Sequence, residues 1–220
     1  MSLLVTIITM LILDVALLVR AELRDNRKQI YIYKPIATLL VIAVAAQSFG
    51  NPGVTIIYSI MVLTGLGLSL GGDLALMFPN NQKAFRLGLV CFLLAHLVYS
   101  GAFFKFGSMT KADILPILLL LVVSSSFFLI IRPGLGTMRS PVIAYIAIIS
   151  LMVAGAWVVE GTAGIHLHTG YLILFGANLF YISDLILASN RFWKPWKYNR
   201  ISLMFYYGGQ LSIALSANTF

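Results

Sequence analysis

The chain of 220 residues is 60% hydrophobic and only 10% charged, and its mean hydropathy of +0.96 lies far above that of a water-soluble domain. These values exclude an ordinary soluble fold and predict an integral membrane protein. The net charge of +8 falls between apolar segments, so it indicates membrane topology and attraction to anionic lipid, and we expect no nucleic-acid partner.

Division of the chain at its charges gives eight apolar segments. A bilayer core of about 30 Å requires about 20 such residues per helix, so we expect an all-α fold, a polytopic transmembrane bundle of eight helices, forming a single transmembrane domain over residues 1–220. The first segment resembles a signal peptide, but it lacks a basic n-region and Asp14 interrupts it, which favours a helix. The segments are residues 2–19, 35–49, 54–78, 87–104, 114–131, 140–159, 171–190 and 201–217.

All 15 Lys and Arg residues lie between these segments. The loops at 20–34, 79–86, 132–139 and 191–200 carry five, two, two and four of them, whereas the intervening loops carry only Lys105 and Lys111. Because loops rich in Lys and Arg stay in the cytoplasm, both termini are predicted on the other side. We expect an integral, multi-pass protein of a bacterial cytoplasmic membrane.

Three of the seven acidic residues lie inside predicted helices, namely Asp14, Asp73 and Asp184. Each is six or seven residues before the cytoplasmic end of its helix, which at 1.5 Å per residue is a depth of about 10 Å. A carboxyl group in the hydrocarbon is costly and usually faces the bundle interior or a water-filled cavity. The shared depth therefore predicts a polar cavity open to the cytoplasmic leaflet, with Asp14 in a structural or cavity-lining role.

Other polar side chains at or near this depth are candidates for substrate contact. Pro35 suits the first turn of helix 2, which would place Lys34 at the cavity mouth. Lys34 or Arg191 could hold a lipid phosphate there, or could anchor a helix end. His96 could equally form an interhelical hydrogen bond. The candidates are Lys34, His96, Tyr99, Tyr145, Asn178 and Tyr181.

A weak internal repeat relates the two halves of the chain. Residues 72–76 (GDLAL) resemble 183–187 (SDLIL), with the aspartates 111 positions apart, and the KP at 34–35 and SP at 140–141 recur at an offset of 106. Two parallel four-helix repeats would bring the aspartates face to face across an axis along the membrane normal. Matches this short in apolar sequence also arise by chance, so the repeat is a hypothesis.

The stretch GLSLG around Ser69 fits the G-x-S-x-G pattern of serine hydrolases. That motif requires a strand and a sharp turn before a helix, and such a turn inside a spanning helix would leave backbone groups unpaired in lipid. The glycines at spacings of four instead match the pattern that lets membrane helices approach closely. We therefore interpret Ser69 as a packing residue and Asp73 as the functional one.

Four short motifs follow one another along the chain: KP at 34–35, GDL at 72–74, HLVY at 96–99 and GANLFYISDL at 176–185. In the order and spacing of these motifs, the chain resembles the YhhN family of lysoplasmalogenases over nearly its whole length. The resemblance implies hydrolysis of the vinyl ether bond of a lysoplasmalogen to a fatty aldehyde and glycerophosphoethanolamine or glycerophosphocholine, with Asp73 and Asp184 as the catalytic pair. It also implies a lysophospholipid substrate within membrane lipid.

The residues themselves suit this chemistry. Vinyl ether cleavage begins with protonation of the β-carbon, and in a buried pair one carboxyl can hold a proton while its partner stays ionised. The pattern does not assign the two roles. A small proton-coupled transporter and a hydrolase of another lysolipid are the alternatives. No metal and no other cofactor is expected, because no cluster has metal-ligand types and spacing.

Overall fold

A computed structural model of the protein describes residues 3–78, 81–197 and 199–220. Within these residues the chain forms eight α-helices joined by short turns, and no β-strand. Seven of these helices are long and apolar enough to cross a membrane, and the 15-residue α8 is shorter. The helices are α1 Leu3–Leu23, α2 Arg27–Ala46, α3 Ile56–Leu76, α4 Gln82–Phe106, α5 Ile114–Ile131, α6 Arg139–Glu160, α7 Leu167–Phe192 and α8 Ser202–Ser216.

Helix α2 begins two turns earlier than predicted, at Arg27, so that Pro35 lies inside the helix and not in its first turn. The side chain of Asn26 caps the helix by accepting a hydrogen bond from the Gln29 backbone N–H. The prediction began the helix just after the last charged residue of the loop, whereas the helix begins within the charged stretch that precedes the apolar one. This extension buries Lys34 within the bundle.

Glycines set the closest helix contacts. A Cβ atom at Gly72 of α3 would lie 2.6 Å from the Phe92 ring of α4. Gly176 of α7 and Gly209 of α8 face each other, and a Cβ at Gly209 would lie 2.8 Å from the Gly176 carbonyl oxygen. Small residues are the usual means by which membrane helices pack closely. Ser69 lies within continuous helix α3 and is buried there, so the segment around it forms no nucleophile elbow.

The order of helix neighbours is the same in both halves of the chain. Helix α3 packs between α2 and α4, and α7 packs between α6 and α8. The contact between α4 and α6 is matched by the contact between α8 and α2. This is the arrangement expected of two parallel four-helix repeats.

Helix α5 lies at the edge of the bundle. It is described throughout, and only Ser124 and Ile131 of its residues are buried. It contacts mainly α6, with a smaller contact to α7. Most of its apolar surface is therefore free to face lipid.

Candidate active site

A cavity of about 540 Å³ opens at the end of the bundle that carries most of the cations, which we call the basic end. The cavity lies among α2, α3, α4, α6, α7 and α8, and its wall includes both Asp73 and Asp184. Most of the lining is apolar, with residues such as Leu89 and Ile149. The cavity could therefore hold a polar group and a lipid chain together.

Asp73, on α3, is held by three groups from two other helices. Thr38 Oγ1 donates a hydrogen bond of 2.6 Å to its Oδ2, and the Tyr206 hydroxyl donates one of 2.7 Å to the same atom. Lys34 Nζ lies 3.4 Å from Oδ1. The Asp73 side chain is 3% exposed and that of Lys34 is 10% exposed, so the two form a nearly buried ion pair.

A second layer fixes the groups around Asp73. Gln210 Nε2 donates a 2.8 Å hydrogen bond to the Tyr206 hydroxyl, one turn away on α8. The Tyr207 hydroxyl donates a 3.1 Å bond to the backbone oxygen of Lys34. The first bond limits the rotamers available to Tyr206, and the second connects α8 to α2.

Asp184, on α7, has a different environment. The Tyr145 hydroxyl donates a 2.6 Å hydrogen bond to Asp184 Oδ2, and His96 Nε2 lies 3.1 Å from the same hydroxyl. Because the hydroxyl hydrogen of Tyr145 points to Asp184, His96 must donate from Nε2, which fixes its tautomer. No Lys or Arg side chain is within ion-pair distance of Asp184 in the part of the chain that the structure describes. Its side chain is 15% exposed and thus more open than that of Asp73.

An aromatic cluster lies between the two acidic centres. The Phe180 ring centroid is 5.1 Å from that of Tyr206 on the Asp73 side and 4.7 Å from that of His96 on the Asp184 side. Phe92 packs edge-on against Tyr206 at 5.8 Å. These edge-to-face contacts are a favourable geometry for aromatic rings. The carboxyl groups therefore belong to one cavity but do not bond to each other.

Cations surround the cavity mouth. Arg27, Arg191 and Arg200 all contribute to the wall there, together with one acid, Glu22. Arg200 Nε is 3.1 Å from a Glu22 carboxylate oxygen, and the Arg191 guanidinium stacks 3.9 Å from the ring centroid of Phe85. Arg27 Nε is 3.0 Å from Asp25 Oδ1, so three arginines face two acids at the mouth. The remaining positive charge makes the mouth suitable for an anionic group.

The structure divides the predicted contact residues into two sets. Lys34, Tyr145 and Tyr181 line the cavity. His96 is fully buried behind Tyr145 and forms the interhelical hydrogen bond, the second of the two roles considered for it.

Tyr99 and Asn178 lie outside the cavity. Tyr99 is fully buried and packs against Gly65. The side-chain nitrogen of Asn178 donates to the Leu174 carbonyl oxygen one turn back on its own helix. Asp14 is also buried but does not line the cavity. Equal depth along the membrane normal therefore does not ensure a shared site, because it leaves the rotation of each helix undetermined.

Sequence reasoning missed two residues that contact Asp73, namely Thr38 and Tyr206. Thr38 lies one helical turn after Lys34, so the i, i+4 spacing on α2 could have identified it. Tyr206 and Gln210 form a similar i, i+4 pair on α8. Among the described residues, no group of three His, Cys, Asp or Glu side chains is placed to hold a metal ion.

Comparison with known proteins identifies relatives of this chain. The bovine lysoplasmalogenase TMEM86A is 32% identical over 164 residues, which are 71% of this chain and 64% of that protein, and the human lysoplasmalogenase TMEM86B is 32% identical over 73% of this chain and 64% of its own length. The chain thus spans less than two thirds of these mammalian relatives.

A bacterial relative matches over more of its length. The uncharacterized membrane protein YhhN of Escherichia coli O157:H7 is 30% identical over 203 residues, which are 90% of this chain and 91% of that protein. No solved structure matches the chain at a significant level. The family model of the YhhN family matches residues 29–217. Since that match covers most of the sequence, this multi-pass membrane protein belongs to the YhhN family.

Proposed function

We propose that the protein is an intramembrane hydrolase that cleaves the vinyl ether bond of lysoplasmalogens, with Asp73 and Asp184 as its catalytic residues. The observation that carries this proposal is the presence of two differently bonded carboxyl groups in one largely apolar cavity. Relatives named lysoplasmalogenase support it.

The reaction needs one acid and one carboxylate. A carboxylic acid protonates the β-carbon of the vinyl ether, and the double-bond electrons form the new C–H bond and leave an oxocarbenium ion. Water adds to the cationic carbon and loses a proton to a base, which gives a hemiacetal. The hemiacetal then breaks its C–O bond to release a fatty aldehyde and the glycerol hydroxyl group. No nucleophilic serine is required.

The two centres suit different steps. Three donors converge on Asp73, and an ionised carboxylate, which only accepts hydrogen bonds, satisfies all of them. We assign Asp73 to stabilising the cation and activating water. Asp184 is the more open group and has no Lys or Arg neighbour among the described residues, so we assign it as the proton donor to carbon. Tyr145 and His96 act as positioning residues for Asp184.

The cavity mouth suits the phosphate of the head group. Arg27 and Arg191 lie at the wall, and Arg200 stands beside them with Glu22 as its partner. Guanidinium groups bind phosphate oxygens in a bidentate geometry. A phosphate held there would leave the first carbons of the chain near the aspartates, which lie deeper in the bundle.

The function is tested with purified protein and a panel of lysolipids that carry vinyl ether, alkyl ether or acyl chains. Aldehyde is expected from the vinyl ether alone. In deuterium oxide the trapped aldehyde should contain one deuterium at C2, because the proton on that carbon comes from a solvent-exchanged acid. The product must be trapped at once and compared with authentic aldehyde in the same buffer, since free aldehydes exchange that hydrogen slowly. Release of fatty acid without aldehyde would identify a hydrolase of another lysolipid.

Three matched substitutions test the site. Asp73→Asn and Asp184→Asn should each lower turnover by several orders of magnitude, because an amide cannot exchange a proton as a carboxyl does. Asp14→Asn changes an acid of similar depth that does not line the cavity, and it should retain turnover. Wild-type turnover in either of the first two variants would remove that residue from the mechanism.

A further inference from the structure

A second cavity, of about 600 Å³, lies between α5, α6 and α7 and extends toward the end of the bundle opposite the basic end. Apolar side chains of α5 form one wall, among them Leu115, Leu119 and Val123, and all three are partly exposed on the outside of the bundle. Val153 and Trp157 of α6 form the other wall. We call this space the α5 groove. It is open to the lipid along α5.

Tyr181 belongs to both spaces. Its side chain lines the cavity that contains the aspartates and also lines the α5 groove. The Tyr181 hydroxyl is 2.7 Å from Ser124 Oγ, which in turn is 2.8 Å from Ser150 Oγ. This small hydrogen-bonded cluster joins α5, α6 and α7 at the point where the two spaces meet.

The length of a lipid chain requires space beyond Tyr181. One leaflet accounts for about 15 Å of a hydrocarbon core of about 30 Å, so a chain that starts at the aspartates extends about 15 Å. Tyr181 is only three residues from Asp184, which at 1.5 Å per residue is about 4.5 Å along α7. About 10 Å of chain must therefore pass this point. From Val123 back to Leu115, the groove follows eight residues of α5, or about 12 Å.

We propose that the α5 groove binds the hydrocarbon chain of the lysolipid substrate, which passes Tyr181 on its way from the aspartates. The proposal rests on the proposed function for the identity of the substrate. Tyr181 lines both the groove and the site, the length of the groove matches the remaining chain, and its apolar open side lets a chain enter from the bilayer. The groove then makes the enzyme selective for long chains.

Two neighbouring valines give a matched test. Val123 lines the groove, whereas Val122 does not line it and is 63% exposed. Val123→Trp should fill the groove and lower kcat/KM about tenfold for a chain that spans a leaflet, as expected when about two methylene groups lose their contacts. It should leave kcat/KM unchanged for a chain short enough to end at Tyr181. Val122→Trp should change neither value. An equal effect of Val123→Trp on both chain lengths, or none on either, would overturn the proposal.

A second experiment needs no turnover. A non-cleavable alkyl ether lysolipid with a photoreactive group at the end of its chain should label residues of the groove in wild-type protein and in Asp184→Asn, and unlabelled lysolipid should compete. Labelling spread over the outer faces of all helices would show that the chain stays in the bilayer. Labelling that only a two-chain phospholipid displaces would assign the groove to a structural lipid. Either result overturns the groove proposal and leaves the test of aldehyde release unaffected.

Discussion

Asp73→Asn should destabilise the protein as well as inactivate it, and the structure gives the reason. The carboxylate of Asp73 is the ion-pair partner of Lys34, and both side chains are at least nine-tenths buried. An asparagine in its place can still accept the hydrogen bonds from Thr38 and Tyr206. It cannot neutralise the Lys34 ammonium group, which would remain in the bundle without a counter-charge.

The size of this effect can be estimated. Removal of one partner of a buried ion pair costs about 3–5 kcal/mol, and the lower value applies because the Lys34 side chain lines the cavity and is 10% exposed. For a chain of this size, each kcal/mol shifts the melting temperature by about 2–4 °C, so Asp73→Asn should lower Tm by about 6–12 °C. In Asp184→Asn the amide oxygen still accepts the hydrogen bond from the Tyr145 hydroxyl, and no Lys or Arg loses its partner. The Tm of this variant should therefore fall by less than about 3 °C.

The assay is thermal unfolding in detergent, followed by intrinsic fluorescence and combined with turnover. The double variant Lys34→Met/Asp73→Asn should recover most of the lost stability, because an apolar replacement of a buried ion pair is nearly neutral, yet it should stay inactive. This pattern separates the structural role of Asp73 from its chemical role. Equal Tm values for Asp73→Asn and Asp184→Asn, or a double variant less stable than Asp73→Asn, would refute the ion-pair reasoning.

Three other predictions follow from the packing and the topology. Ser69→Ala should retain turnover, and a folded but inactive variant would restore the serine as a nucleophile. Gly209→Ala should lose about 1–3 kcal/mol of stability, since its Cβ would meet a backbone carbonyl, whereas Gly208→Ala meets only a flexible leucine and should melt near the wild-type temperature. Ala188 lines the cavity, so Ala188→Cys in a Cys91→Ser background should react with impermeant thiol reagents from the cytoplasmic side. Reaction only from the opposite side would contradict the predicted orientation.

Sequence patterns located the aspartates because their physical signal is local. An acid in an apolar run is visible without any knowledge of tertiary structure, and its distance from the helix end gives its depth. The same applies to Lys34 and Tyr145, which lie near the first turns of the apolar stretches of α2 and α6. Eight helices could be predicted for a similar reason, since bilayer thickness fixes the length of each apolar segment.

The partners of the aspartates depended on information that is not local. Tyr206 reaches Asp73 across 133 positions of the chain, and the inward face of α8 depends on its packing against α7, where Gly176 and Gly209 meet. Tyr99 and Asn178 were predicted as substrate contacts, yet the rotation of α4 and α7 places both outside the cavity of the aspartates, and Asn178 lines the α5 groove instead. Depth can be counted along a sequence, whereas helix rotation depends on the packing of all neighbours.

The repeated order of helices gives two similar motifs corresponding neighbours with different chemistry. In the first half, Asp73 of α3 contacts Thr38 on α2 and Tyr206 on α8. In the second half, Asp184 of α7 contacts Tyr145 on α6, and its Oδ2 lies 3.5 Å from His96 Nε2 on α4. The contacts therefore come from corresponding helices. The main difference is one cation: Lys34 stands beside Asp73, and the described residues place no lysine or arginine beside Asp184. If the two carboxyl groups were equivalent, either one could give its proton to the vinyl ether. The lysine removes that equivalence, which is why we assign the carboxylate role to Asp73 and the donor role to Asp184.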